Sequence, residues 1–171
     1  MKRYSDPGRA RFLTFSCQKR LPSLKQESCR DIAAACLLEA AEKTGNDLPA
    51  WVIMPNHLHL ILHNNLGEDT VTSMLASFKI RTARAILPVI RESSPKLFQL
   101  SLDTSGKPRL WLRGGGYDRI LVSGQEVEEK IAYIIKNPVR MGLCLHPEEY
   151  PWSSAFQYKP NDHLFFAEPM D

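Results

Sequence analysis

The fold of this chain is decided by residues 51–63, which have the sequence WVIMPNHLHLILH. Two apolar segments, residues 51–54 and 57–63, are separated by Pro55-Asn56, a dipeptide typical of turns. Short apolar segments bounded by turn residues, and rich in aromatic and branched side chains, favour strands. The stretch therefore predicts a β-hairpin.

The second strand of this β-hairpin carries a row of histidines. Because successive side chains of a strand point to opposite faces, alternate residues share a face. One face holds His57, His59, Ile61 and His63, and the leucines between them face the opposite way. Two imidazoles two residues apart on a rigid strand are close enough to bind one divalent cation. The pair is either a metal site or a polar stripe satisfied by hydrogen bonds, and we interpret His63 as a surface histidine.

Two elements are predicted before the β-hairpin. Residues 11–17 are rich in aromatic and hydroxyl side chains and predict a first strand. A helix should follow and run through about Thr44. The capping-box pattern from Ser23 to Gln26 would open this helix, and Gly45-Asn46 would close it.

A second helix and a loop are predicted after the β-hairpin. Apolar residues recur at helical spacing over residues 71–85, and this helix should end before Pro88. Residues 88–108 contain three prolines and a glycine, which indicates a loop.

A fourth strand and a last helix complete the predicted order. Residues 109–113 and 117–122 predict a strand broken by the glycines between them. A second capping box begins at Ser123, and its helix should stop near Asn137 because Pro138 follows.

The order βαββαβ predicts an α+β fold of the ferredoxin-like, split βαβ type. We expect an antiparallel sheet with two helices on one face, the other face available for a site, and an additional C-terminal helix. At 171 residues the chain is expected to form a single domain, with a core over residues 10–143 and a tail over residues 144–171.

Composition excludes several classes of protein. The chain is 43% hydrophobic and 24% charged, with a mean hydropathy of −0.28 and no apolar run long enough to span a membrane. The first eight residues lack the apolar segment of a secretory signal, and the four cysteines show no C-x-x-C spacing. We therefore expect a cytoplasmic protein with free thiols, no membrane partner and no zinc knuckle.

The positive charge is concentrated in two segments. The formal net charge is +3, yet residues 1–20 hold six basic side chains against one acidic, and residues 79–119 hold nine against three. Basic segments in an otherwise acidic chain are typical of a protein that binds a polyanion, although a solvated charged surface has the same composition.

The last helix carries two further candidate site residues. Tyr133 and Asn137 are four residues apart and share a helix face. A tyrosine hydroxyl, with an ordinary pKa near ~10, is a weak nucleophile unless a cation polarises the phosphate it attacks. Asn137 can offer a carbonyl oxygen to the same metal. Spacing alone favours Tyr133 as a core aromatic and Asn137 as a helix cap before Pro138.

Four sequence blocks resemble one known family in order. They are MPNHLHL at 54–60, WLRGGGYDR at 111–119, YIIKNPVRMGL at 133–143 and YPWSSA at 150–155. With these blocks the chain resembles the REP-associated tyrosine transposases, a branch of the single-tyrosine HUH transposases. Leu112 departs from the pattern, because the branch often has Gln there.

The resemblance implies a single HUH nuclease domain that binds single-stranded DNA folded into palindromic REP-like hairpins. His57, His59 and Asn137 match the metal ligands of the family, and the metal would be Mg²⁺ or Mn²⁺. Tyr133 matches the nucleophile, which forms a 5′-phosphotyrosine and a free 3′-OH during strand cleavage and rejoining. The resemblance further implies a monomer or homodimer associated with the nucleoid.

Basic residues in the second charged segment are candidate phosphate contacts, which would position DNA without reading its sequence. They lie on the second predicted helix and around the glycine-rich break. They are Lys79, Arg81, Arg84, Arg113 and Arg119.

Two other functions compete with this interpretation. A metal-dependent hydrolase of small phosphoesters or amides would use the histidines but leaves Tyr133 and Asn137 without roles. A nucleotide hydrolase of the histidine-triad type requires a third histidine at the position of Ile61, so the sequence argues against this class. A protein that binds DNA hairpins without cutting them is the other alternative, although all four matched site residues are present.

Overall fold

A computed structural model describes residues 10–64, 66–114 and 116–157 of the chain. Residues 1–9 of the basic N-terminal segment, Asn65, Gly115 and the tail beyond residue 157 lie outside the described residues. The elements are β1 (Ala10–Ser16), α1 (Glu27–Thr44), β2 (Asp47–Ile53), β3 (His57–His63), α2 (Glu68–Ser93), α3 (Pro95–Leu100), β4 (Tyr117–Ile120), α4 (Gly124–Arg140) and α5 (Ser154–Gln157). Short 3₁₀ turns lie at Gln18–Arg20 and Pro147–Glu149.

The four strands form one sheet in the order β2-β3-β1-β4. Every neighbouring pair is antiparallel. This is the strand order that a split βαβ arrangement produces, because β3 returns between β1 and β2. The structure confirms the predicted α+β, ferredoxin-like fold.

The two faces of the sheet carry different layers. Leu58, Leu60 and Leu62 of β3 point into the larger apolar core, which they share with α1 and with Phe78 of α2. On the other face, Ile61 packs in a smaller core with Ile134 of α4. The second face is therefore partly covered by α4, and the predicted alternation of β3 is confirmed.

The prediction for the start of α1 is wrong. The helix begins at Glu27 rather than Ser23, and its N-cap residue Gln26 makes no capping hydrogen bond with its side chain. Instead the N–H of Leu24 donates to the carbonyl of Pro55 in the β2–β3 turn. Leu24 is fully buried, so the segment is held by the β-hairpin and cannot wind into the helix. The predicted end is confirmed, because Gly45 caps the helix in the left-handed conformation.

The prediction that α2 ends before Pro88 is also wrong. The helix continues to Ser93, and α3 occupies part of the predicted loop. Ile86 and Ile90 are buried on either side of Pro88, so continuing the helix buries additional apolar surface. Pro88 itself is exposed, and water can therefore reach the helical carbonyl that loses its donor.

The last helix likewise extends past its predicted end at Asn137. It includes Pro138 and ends at Arg140, and the N–H groups of Met141 and Leu143 donate to the carbonyls of Asn137 and Pro138. These bonds offset the single helical bond that the proline removes. The predicted cap is confirmed, since the hydroxyl of Ser123 accepts from the N–H of Glu126.

Part of the predicted broken strand is absent. β4 covers Tyr117–Ile120, whereas residues 109–113 do not form a regular strand. They run beside the end of β1, where the N–H of Leu112 donates to the carbonyl of Ser16.

The C-terminal block YPWSSA lies along the outer edge of β2. The N–H of Ile53 donates to the carbonyl of Trp152, and the N–H of Trp51 donates to Ser154 Oγ. Ser153 and Ser154 are buried, so this block covers an exposed sheet edge and offers neither hydroxyl to a ligand. None of the described helices is long and apolar enough to cross a membrane. The four cysteines are free thiols.

Candidate functional site

The sheet register places His57 and His59, here called the histidine pair, next to β1. Ser16 lies opposite His57 and Thr14 lies opposite His59. The two imidazole rings are edge to face, with their centroids 4.7 Å apart. His59 is buried and His57 is half-buried, so the pair lies where the sheet face meets solvent.

Hydrogen bonds orient both imidazoles through the same ring atom. His59 Nδ1 shares a hydrogen bond with Thr14 Oγ1 at 2.8 Å, and His57 Nδ1 donates to Asn56 Oδ1 at 2.6 Å. With Nδ1 occupied, Nε2 is the nitrogen of each ring that remains available to a cation. Such outer hydrogen bonds are the usual means of orienting metal-binding histidines.

Burial keeps the histidine pair neutral. Burial first, and then the charge of His57, lowers the pKa of His59 to about 3. The pKa of His57 is also lowered, by burial and by the nearby charge of Arg20. Neutral imidazole is the form that binds a metal ion, and both rings have it at pH 7.

Helix α4 brings Tyr133 to the histidine pair. Its ring lies edge to face with His59, with centroids 5.3 Å apart, and it contacts Phe12 of β1 at 6.0 Å. Lys130 Nζ lies 5.8 Å from the centre of the Tyr133 ring and Arg140 Cζ lies 5.4 Å from it. The candidate nucleophile therefore lies beside a candidate metal ligand and within 6 Å of two cations.

Asn137 follows Tyr133 by one helical turn and is not the helix cap, because α4 continues to Arg140. Its side chain is 7% exposed, and its Oδ1 atom is buried with no hydrogen-bond partner among the described residues. An unpartnered buried amide oxygen is costly to leave unsatisfied. A bound cation would satisfy it, and this atom fits the role of a neutral oxygen ligand.

The donor set fits a hard divalent cation that is completed by another ligand. Two imidazoles and one amide carry no negative charge, so further oxygen ligands must come from elsewhere. Among the described residues, no cluster of three or more His, Cys, Asp and Glu side chains is present. His63 lies at the other end of β3, with Nδ1 3.9 Å from Asp47 Oδ2.

Two candidate DNA contacts, Arg119 and Arg113, lie on or near the site face. The register pairs Tyr117 with Thr14 and Arg119 with Phe12, so both β4 side chains share the face of His59. Arg119 is ion-paired with Glu126 of α4. Arg113 is exposed in the segment that leads to β4.

The other three candidates lie on the opposite layer of the molecule. Lys79 Nζ lies 4.2 Å from the ring centre of Phe15, which faces the larger core. Arg81 is ion-paired with Glu39 of α1, and Arg84 is exposed on α2. The structure does not bring these three residues next to the histidine pair.

Three residues that contact the site belong to none of the candidate site residues predicted from the sequence. Lys130 and Arg140 share the helix face of Tyr133, three residues before it and seven after it, so helical spacing alone could have identified them. Thr14 gave no such signal, because its contact with His59 depends on the pairing of β1 with β3.

Gly116 is required by a close backbone approach at the site. A Cβ atom at this position would lie 1.5 Å from the carbonyl oxygen of Thr14, the residue that orients His59. Any side chain at 116 would therefore displace β1 at the point where it supports the histidine pair.

The known proteins that this chain resembles match it in structure rather than in sequence. No protein-family model and no curated protein matches it by sequence. A REP-associated tyrosine transposase, solved bound to a REP hairpin, superposes with a TM-score of 0.70 over 92% of this chain and 82% of that one, at 18% identity. A candidate transposase from Deinococcus radiodurans R1 gives a TM-score of 0.47 at 20% identity, covering 80% of this chain and 95% of that one. The chain has the fold of a REP-associated tyrosine transposase.

Proposed function

We propose that this chain is a metal-dependent, single-tyrosine transposase that binds single-stranded DNA hairpins and cleaves and rejoins them. The observation that carries the proposal is the contact between Tyr133 and His59, with ring centroids 5.3 Å apart. A strand and a separate helix together form this contact. It combines a nucleophile with metal-binding side chains on a fold that a hairpin-bound transposase shares.

Tyr133 performs the covalent step. Its Oη atom attacks the scissile phosphorus, the Oη–P bond forms, and the bond from phosphorus to the 3′ oxygen breaks. The tyrosine loses its proton and the leaving 3′ oxygen takes one up. The products are a 5′-phosphotyrosine and a free 3′-OH, and attack by a 3′-OH on the phosphotyrosine rejoins the strand.

His57, His59 and Asn137 would hold Mg²⁺ or Mn²⁺. Bound there, the ion would polarise the scissile phosphate as a Lewis acid. Because the three protein ligands are uncharged, we expect weak binding of the metal without DNA and tighter binding when a phosphate contributes charged oxygens. By linkage, the metal should strengthen the binding of DNA at the site.

Lys130 and Arg140 stabilise negative charge beside the nucleophile. Both cations lie within 6 Å of the ring centre of Tyr133. Charge develops on the phenolic oxygen and the phosphate during cleavage and rejoining, and fixed cations stabilise that charge without having to reorganise.

The basic side chains are proposed as phosphate contacts at two places. Arg113 and Arg119 would contact the DNA that lies across the site face, close to β4. Lys79, Arg81 and Arg84 would contact the part of the DNA hairpin that extends beyond that face to α2.

The substitution Tyr133→Phe tests the proposal. It removes the hydroxyl but keeps the ring that packs on Phe12 and His59. We expect no covalent adduct with a labelled DNA hairpin that carries a single-stranded flank, while hairpin affinity stays within about threefold. Tyr117→Phe is the matched control, because Tyr117 shares the same sheet face and contacts Phe12 at 5.9 Å.

Two outcomes would contradict this assignment. An undiminished adduct in Tyr133→Phe would show that another residue, with Tyr117 the nearest candidate, is the nucleophile. If the wild-type chain binds zinc tightly without DNA and forms no adduct, the alternative of a metal-dependent hydrolase is favoured. Chelation with EDTA should stop adduct formation, and added Mn²⁺ should restore it.

A further inference from the structure

Arg20 is a charged residue beside the histidine pair that the proposed function does not use. It ends the 3₁₀ turn Gln18–Arg20 directly after β1, and its side chain is exposed. Among the described residues, no carboxylate pairs with it. Its backbone carbonyl is hydrogen-bonded to Asn56, the residue that precedes His57, so Arg20 lies next to the histidine pair.

The backbone of this turn is strained. Lys19 and Arg20 have φ angles of 52° and 54°, in the left-handed region that residues other than glycine seldom adopt. Two consecutive residues in this region are unfavourable unless the surrounding structure holds them there. Strained residues of this kind cluster at active sites, ligand clamps and switch regions.

Contacts from two other elements hold the turn in place. Lys19 Nζ donates to the carbonyls of Leu100 and Leu102, at 3.0 Å each. The N–H of Cys17 donates to the carbonyl of Asn56 at 2.8 Å. The turn is thereby attached to the end of α3 and to the β2–β3 turn.

Asn56 connects Arg20 directly to the histidine pair. Its Nδ2 donates to the carbonyl of Arg20 at 3.5 Å, and its Oδ1 accepts from His57 Nδ1 at 2.6 Å. One side chain therefore bridges the Arg20 backbone and the imidazole of His57.

We propose that Arg20 binds a phosphate of the DNA strand that enters the site on the side of His57. The inference rests on the proposed function and adds a residue that binds the DNA substrate. A guanidinium offers paired N–H donors that match phosphate oxygens. Arg81 and Arg119 must first give up a carboxylate partner, whereas Arg20 has none to give up among the described residues.

The contact is tested by neutralising the arginine and the phosphate separately. The DNA is a hairpin with a single-stranded flank, prepared as a series in which one phosphate at a time around the cleavage position is an uncharged methylphosphonate. Binding is measured for the wild type, Arg20→Gln and Arg20→Lys. Lys96→Gln is the matched control for the loss of one positive charge, because Lys96 is exposed on α3.

We expect Arg20→Gln to bind the unmodified DNA hairpin roughly tenfold more weakly, with a salt dependence reduced by about one phosphate contact. A methylphosphonate at one position should weaken DNA binding by the wild type. The same substitution should not weaken DNA binding by Arg20→Gln any further. Arg20→Lys should recover part of the affinity, because lysine keeps the charge without the paired donors, and Lys96→Gln should bind as the wild type does.

Arg20→Gly separates the charge from the backbone. Glycine accepts a φ of 54° without strain, so this variant should melt no lower than the wild type and still bind as weakly as Arg20→Gln. Recovery of affinity in Arg20→Gly would overturn the proposal in favour of a structural role. An unchanged methylphosphonate profile in Arg20→Gln would overturn it as well. If the wild type forms no covalent adduct, the proposed function itself is overturned.

Discussion

The hydroxyl of Thr14 determines how His59 faces the site, because it hydrogen-bonds Nδ1 at 2.8 Å. Thr14→Val keeps the shape of the side chain and removes this bond. We expect adduct formation to slow by about 10- to 100-fold, as is usual when the partner of a metal-binding histidine is lost. Single-turnover adduct assays in Mn²⁺ measure the rate, and Thr14→Ser should restore it. An unchanged rate in Thr14→Val would show that packing alone orients the ring.

The buried histidine also makes folding depend on pH. His59 has an ordinary pKa of 6.5 and a pKa of about 3 in the folded chain, so below pH 6.5 the unfolded chain binds a proton that the folded chain does not. The free energy of unfolding should therefore fall as the pH falls through this window, by about 2 kcal/mol between pH 7 and pH 5.

Urea unfolding in EDTA at these two pH values measures this change. His59→Gln removes the titrating group, so its stability should vary less between pH 7 and pH 5. An identical change in both proteins would assign the pH dependence to other residues.

At the scale of elements, local sequence signals predicted strand β3, the αL end of α1 and the cap of α4. The alternating residues of β3 have opposite surroundings, and Gly45 has few substitutes at φ 65°. The helix ends predicted from Pro88 and Pro138 were wrong for a different reason. The gain from burying Ile86 and Ile90 across Pro88, and from the bonds that follow Pro138, comes from tertiary packing that local propensity does not contain.

The candidate site was predictable in halves. Strand periodicity placed His57 and His59 on one face, and helix periodicity placed Tyr133 and Asn137 on another. That these two faces meet depends on the position of α4 against the sheet, which involves contacts far apart in sequence. The family resemblance predicted that the two faces form one site. Residues that belong to no motif of the family, such as Thr14, were not predicted as part of that site.

The cap of α4 should affect the stability of the chain and of the first turn of the helix. Ser123 Oγ accepts from the N–H of Glu126, whose carboxylate in turn accepts from the N–H of Val122. Ser123→Ala should lower the free energy of unfolding by about 1 kcal/mol, whereas Ser123→Asp should retain it. Urea unfolding measures both variants. Hydrogen exchange in the first turn of α4 should quicken in Ser123→Ala, and unchanged exchange there would contradict the capping role.

At the scale of the whole molecule, the basic residues lie on two layers separated by the sheet. Arg113 lies near the site face and Arg84 lies on α2, and both are exposed. Arg113→Gln should weaken hairpin binding about fivefold, and Arg84→Gln only about twofold, because the DNA must first reach the site. Fluorescence anisotropy at several salt concentrations compares the matched pair. Equal losses would show that the DNA hairpin contacts both layers alike.

The position of Tyr133 on a helix late in the chain has a consequence for biosynthesis. Both histidines emerge from the ribosome well before α4, and the segment that covers the edge of β2 follows later still. Under the proposed function, a nascent or prematurely terminated chain would carry the metal-binding strand but no nucleophile. Translation itself would then delay the ability to cut DNA until nearly the whole of the described chain had been synthesised.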